Sequence, residues 1–207
     1  MTDRATRSRF DGILSAFGLG DGDGRLYLEL VERHAEPHRQ YHDLRHVDDC
    51  LGHLDDLPVE GTDPATIEVA IWFHDAVYDP YGKDNEGASA ELARRSLGQL
   101  GADGDRIERV VHLILATRHD AVPDDLDAQR MVDIDLAILG SDRRRFEAYE
   151  GEIRGEYRKV PGFLFRRKRK QILRGFLERE SLYLTAPFVE RFEETARSNL
   201  AWSIECL

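Results

Sequence analysis

The stretch Ile71-Trp72-Phe73-His74-Asp75-Ala76-Val77-Tyr78 sets an ionisable pair inside an apolar run. Any fold must bury the run and also satisfy the pair, because a polar group in an apolar interior is costly without a partner. The run reads as the middle of a buried helix from about Pro64 to Val77, with Thr62 or Asp63 as its cap and Pro64 at its first position. Neighbouring residues on a helix point about 100° apart. His74 and Asp75 can therefore both reach one cation beside the helix, but they cannot complete its shell. Imidazole and carboxylate suit borderline and hard divalent cations. The bland alternative is a core pair in which the carboxylate orients the ring. The other ligands, if they exist, must come from elsewhere in the chain.

Nearly all of that chain reads helical. Apolar residues recur at three- and four-residue intervals, and strand-like alternation is scarce, so the expected class is all-α. Expected helices cover about 10–17, 26–35, a segment near His42 running to Leu57, 64–77, 85–101, 106–117, 126–139, a charged one to Lys159, 163–179 and 187–202. If His42 lies inside its helix, it shares a face with His46 one turn later. Asp133 and Asp135 interrupt the apolar segment 126–139, a second site where carboxylates enter a hydrophobic helix. Asp21-Gly22-Asp23-Gly24 opens like a calcium loop, but Arg25 and Leu26 stand at the fifth and sixth positions, where a ligand and a glycine are required. A glycine-rich turn is expected there. No repeat or linker divides the 207 residues, so one domain spanning 1–207 is expected.

Composition removes several function classes. No apolar run approaches the ~18 residues a membrane helix needs. Met1-Thr2-Asp3-Arg4 lacks a signal-peptide core, and Cys50 and Cys206 make no disulfide framework, so a cytoplasmic location is expected. A formal charge of -11 argues against nucleic acid and anionic membranes as partners. The basic run Arg166-Arg167-Lys168-Arg169-Lys170 reads as a solvated helix face rather than an RNA patch. His112, on an apolar helix, reads as a core residue, and His34, His38 and His53 as surface residues.

His46, His74-Asp75 and Asp133 or Asp135, all on expected helices, form a set rich enough to hold a metal. In this order the set resembles the signature of the HD superfamily of metal-dependent phosphohydrolases. The blocks Tyr41-His42-Asp43-Leu44-Arg45-His46-Val47, Trp72 to Tyr78, Asp84-Asn85-Glu86, Ala116-Thr117-Arg118-His119 and Asp133 to Gly140 are similar to a bacterial subfamily of HD-type phosphohydrolases. The similarity continues through Glu156-Tyr157, Phe163-Leu164 and Ala196-Arg197-Ser198-Asn199-Leu200, and so covers nearly the whole chain.

The resemblance implies a single HD-domain helical bundle with additional C-terminal helices. It implies metal ligation by His46, His74, Asp75 and one late aspartate, with Asp135 preferred because Leu136-Ala137-Ile138-Leu139 follows it. The implied cofactor is a divalent ion: manganese, cobalt, magnesium, nickel, zinc or iron. Metal-activated water would attack a small phosphate ester or anhydride, a nucleotide or other phosphorylated metabolite. Asp75 is the candidate for orienting that water. Glu86, Asp79 and His119 are candidates for acid-base work, and Arg39, Lys83 and Arg118 for neutralising phosphate. Two other readings stand beside this one. A di-iron HD-type oxygenase would recruit His112 and His119, and a non-catalytic metal or nucleotide sensor would use the site for binding alone. Oligomeric state is not readable from the sequence; the C-terminal helices are where a homodimer would be sought.

Overall fold

The computed structural model describes residues 4–207 and is all-α, with ten α-helices, one 3-10 turn and no strand among those residues. The helices are α1 (Arg7–Ala16), α2 (Arg25–His34), α3 (Leu44–Asp55), α4 (Pro64–Phe73), α5 (Asn85–Gln99), α6 (Gly104–Ala116), α7 (Leu126–Leu136), α8 (Arg143–Glu156), α9 (Gly162–Leu177) and α10 (Ala186–Cys206). The 3-10 turn, Ala137–Gly140, follows α7 directly.

The bundle is built around α4. Every residue from Thr66 to Phe73 is buried. A helix that is apolar on all sides has to be sheathed, and α1, α3, α5, α6 and α7 all touch it. Fully burying side chains such as Ile67, Ile71, Trp72 and Phe73 contributes about 1.5–3 kcal/mol each. The one charge on this helix, Glu68, accepts from Arg9 Nε and Nη2, both at 2.8 Å. A bidentate guanidinium fork is what a carboxylate at such a depth requires. One connected set of buried apolar side chains extends from Ala5 to Leu200.

Acidic caps start most helices. Asp43, Asp63, Asp84, Asp103, Asp125 and Asp142 each accept from a backbone N–H of the following first turn. Part of the acidic excess therefore sits at helix N-termini, where negative charge also meets the favourable end of the dipole.

Two helix boundaries differ from expectation, and both matter to the site. α4 ends at Phe73, so His74 and Asp75 lie at its C-terminal end and not in its middle. The freed carbonyls there are taken by side chains. His74 Nδ1 lies 2.8 Å from Ile71 O, and Arg39 donates to Asp75 O at 2.7 Å and Ala76 O at 3.2 Å. His42 lies outside α3, because Asp43 caps that helix and Leu44 begins it.

The C-terminal helices brace the corner after α7. A Cβ on Gly140 would stand 2.5 Å from Phe192 Cβ, so only glycine lets α10 approach so closely. Asn199 Nδ2 donates to Leu139 O at 2.8 Å and to Ser141 O at 2.9 Å. Among the described residues, no helix is long and apolar enough to cross a membrane.

Candidate metal centre

Three chain segments meet at one point. His46 stands one turn into α3, His74 and Asp75 at the end of α4, and Asp135 near the end of α7. Their ligating atoms lie within 4.8 Å of one another. His46 Nε2 is 3.1 Å from His74 Nε2, 3.1 Å from Asp135 Oδ1 and 3.6 Å from Asp75 Oδ2. His74 Nε2 is 3.2 Å from Asp75 Oδ2 and 3.5 Å from Asp135 Oδ1. Donors about 2.0–2.2 Å from a shared divalent ion adopt this spacing when they subtend roughly right or tetrahedral angles at it.

The chemistry of the donors fits an ion as well as their spacing does. Ile71 O accepts only from an N–H, so His74 Nδ1 carries the ring proton and Nε2 presents a lone pair toward the cluster. Two neutral imidazoles and two carboxylates carry a charge matched by one divalent cation. The rings are buried, while Asp75 and Asp135 keep 15% and 16% of their side-chain surface open. The carboxylates thus form the face turned to solvent. Burial opposes charge on Asp75, but His74 and His42 hold its carboxyl far below the usual range. Burial likewise opposes Asp135, and His119, His46 and His74 hold it well below. Without an ion the Asp75 and Asp135 carboxylates raise the His74 imidazole well above its usual value, against burial, so an ion would take the place of the Nε2 proton. Cys50 lies 3.7 Å from His46 Nδ1 and could complete a smaller set with both rings. Its thiol is pushed up by burial and by Asp135, which disfavours the thiolate that a metal requires.

Asp133, two residues earlier, has a different job. Its oxygens accept from Leu184 N at 2.7 Å, Thr185 N at 2.8 Å and Thr185 Oγ1 at 2.6 Å, which fastens the start of α10 to α7. Burial pushes its carboxyl up to about 6 in spite of these donors.

A second polar device lies beside the centre. Glu156, at the end of α8, accepts from the backbone N–H of Gln40, Tyr41 and His42 through Oε1. Through Oε2 it meets His42 Nδ1 and the Tyr78 hydroxyl, both at 2.7 Å. Burial opposes its charge, yet the His42 ring and those N–H groups lower its carboxyl to about 2. The His42 ring stacks on Tyr78 with centroids 4.2 Å apart and is raised against burial by Asp75 and Glu156.

The remaining candidates divide. His119 donates from Nε2 to Asp135 Oδ2 at 2.9 Å. Its φ of 56° is uncommon outside glycine, and it turns the ring inward as α6 ends. Glu86 is half-buried in the wall of a cavity of about 510 Å³ that also contains His42, Asp75, His119 and Asp135. Asp79 is exposed, takes the Tyr81 N–H and does not line that cavity. Arg39 is buried and holds the carbonyls of His42, Asp75 and Ala76, so it positions backbone instead of meeting phosphate. Arg118 is paired with Asp84, and Lys83 is exposed.

Four histidine expectations are corrected. His112 is exposed, pairs with Asp125 at 2.7 Å and is no core residue, because it falls on the outer face of α6. It stands outside the cluster, which removes it as a recruit for a second ion. His34 is buried, with Nε2 3.4 Å from Trp72 O at the end of α4. His38 and His53 are half-buried rather than surface residues. In the basic run, Arg166, Arg167 and Lys168 are exposed as expected, whereas Arg169 is buried against Glu150 and the Tyr149 hydroxyl.

Glu156 falls in a block of the family resemblance, but its place beside the centre is not visible in sequence. Its partners lie at least 78 positions away, so nothing local to α8 points to them. No family model, curated protein or solved structure matches the chain.

Proposed function

We propose that this chain is an HD-type metal-dependent phosphohydrolase that cleaves a small phosphate ester or anhydride in the cytoplasm. The observation that carries the reading is the convergence of His46, His74, Asp75 and Asp135 with both carboxylates open to a cavity. When bound, a divalent ion supplies acidified water at neutral pH and polarises a phosphoryl oxygen. The mixed nitrogen and oxygen donors favour manganese, iron, cobalt, nickel or zinc over magnesium, which prefers oxygen alone.

The other residues act on protons and position. Asp75 orients the attacking water through its solvent-facing carboxylate. His119 fixes Asp135 by donating to Oδ2, leaving Oδ1 toward the cluster. Glu156 holds the His42 Nδ1–H, which leaves Nε2 of the same ring as the proton-exchanging atom at the cavity wall. The pair has the geometry of a carboxylate-oriented imidazole, whose ring can shuttle a proton without losing its aim. Glu86 is a second acid or base in the wall of the same cavity.

A hydrolysis screen tests this reading. Metal-stripped protein is offered phosphate esters and anhydrides with each divalent cation, with His74→Ala and Asp75→Ala as controls. Metal-dependent phosphate or pyrophosphate release that both substitutions abolish is the expected result. Stoichiometric metal binding with no turnover of any compound would move the assignment to a sensor.

A further inference from the structure

We propose that the cavity beside the centre is shaped for the apolar alcohol portion of a phosphate monoester, and not for a polyphosphate or a nucleotide base. The inference deepens the phosphohydrolase reading and rests on it.

The cavity runs from Asp75 and Asp135 into a wall of Leu136, Ile138, Leu139, Ile153, Leu164 and Phe176. Its volume of about 510 Å³ is enough for a body of two fused rings. A nucleotide base would need several free donors and acceptors along its edges, whereas much of this wall is apolar and several of its polar groups are committed elsewhere. The Tyr149 hydroxyl accepts from Arg169, which also binds Glu150. Thr117 Oγ1 donates to Ile114 O. The Asn85 side chain is engaged at both ends by the backbone of Asp79. His42 is held through Nδ1 by Glu156 and His119 through Nε2 by Asp135, so each ring is fixed by one nitrogen.

Charge argues the same way. A polyphosphate is gripped by several cations or by a helix N-terminus. The N-terminus of α5, whose Asn85 lines the cavity, places Glu86 in its first turn. Arg118 is bound to Asp84 and Arg39 is buried on carbonyls. Among the described residues lining the cavity, Lys168 is the cation without a carboxylate partner. One lysine offers a partner to a single phosphate group, not to a chain of them. Leu164 and Ile172 of α9 stand at the rim, 44% and 39% exposed, where an apolar group entering the cavity would cover them.

The test compares kcat/KM of the full-length, metal-loaded protein across 1-naphthyl phosphate, phenyl phosphate, glycerol phosphate, GMP and ATP. The expected order puts 1-naphthyl phosphate first, roughly ten-fold above phenyl phosphate, as the added buried ring surface dictates. GMP and ATP fall below both. Leu164→Asp, at a half-exposed position that tolerates charge, lowers the ratio of naphthyl to glycerol phosphate about ten-fold. ATP or GMP turned over more efficiently than the aryl esters overturns this proposal and leaves the phosphohydrolase reading intact. A ratio unmoved in Leu164→Asp overturns it equally. Metal bound with no release from any of the five compounds overturns the phosphohydrolase reading and this proposal with it.

Discussion

Asp133 and Asp135 are two carboxylates on one turn of α7, and they live in opposite worlds. Asp133 meets only hydrogen-bond donors: the N–H groups of Leu184 and Thr185 and a threonine hydroxyl. Its valences are filled by the protein, and burial moves its carboxyl up to about 6. Asp135 meets the imidazoles of His46, His74 and His119, one of which has its proton committed to a backbone carbonyl. Its carboxyl is held well below the ordinary range against burial. A buried carboxylate ringed by donors is a structural bolt. One that shares a cluster with two imidazole nitrogens and a second carboxylate has the makings of a cation site. The difference arises because positions two apart on a helix point about 200° apart, so one faces α10 and the other faces α3 and α4.

The sharpest way to break this comparison is to remove one ligand. His74→Ala or Asp135→Ala should abolish stoichiometric metal binding in calorimetry and lower turnover by at least about 10³-fold, since the three remaining donors would no longer hold the ion that activates water. Asp133→Ala should leave metal stoichiometry unchanged while costing about 2 kcal/mol in denaturant unfolding, because three donors lose their acceptor. Equal effects of the Asp133 and Asp135 substitutions on metal binding would erase the distinction.

The pH dependence of stability should separate the two kinds of carboxylate next. Asp133 has a folded value of about 6, above its ordinary 3.8. Its contribution is therefore full below about 3.8 and is lost as pH rises through 6. A displacement of that size corresponds to about 3 kcal/mol as an order of magnitude. Glu156 runs the other way, lowered from 4.5 to about 2. Its contribution, also about 3 kcal/mol, is present above 4.5 and is lost as pH falls toward 2. Unfolding curves of Asp133→Asn and Glu156→Gln against the parent chain, taken across pH 3–7, should show differences of opposite slope. The smallest effect belongs to His112→Ala. An exposed ion pair contributes about 0–1 kcal/mol, so stability should move by less than about 0.5 kcal/mol and metal binding not at all. Altered metal stoichiometry in that variant would reopen a second-ion role.

Much of the centre was legible before folding was considered. His46, His74 and Asp75 stand out as candidate ligands inside or beside apolar helical periodicity, the family resemblance favours Asp135 over Asp133, and all four converge. The cap of α4 was legible to within one residue, Thr62 or Asp63, for a local reason: a cap and its first turn are neighbours in sequence. His112 and His34 were misassigned in opposite directions. A helix face is solvent or core according to what packs on it, and His34 is buried because the end of α4 offers Trp72 O to its ring. Arg39 suggested phosphate by type, but the exposed carbonyls of a broken helix end claimed it.

By itself, then, the sequence determined the helical class, most helix starts and three candidate donors, His46, His74 and Asp75, with a late aspartate left between Asp133 and Asp135. Periodicity, capping and ligand chemistry are properties of short segments. Tertiary structure decided which aspartate faces the rings and that the His74-Asp75 pair ends a helix. It also decided that Glu156 reaches 114 positions back to aim His42. Those outcomes depend on which surfaces of distant helices are pressed together, and no local pattern encodes the direction in which a side chain finds its partner.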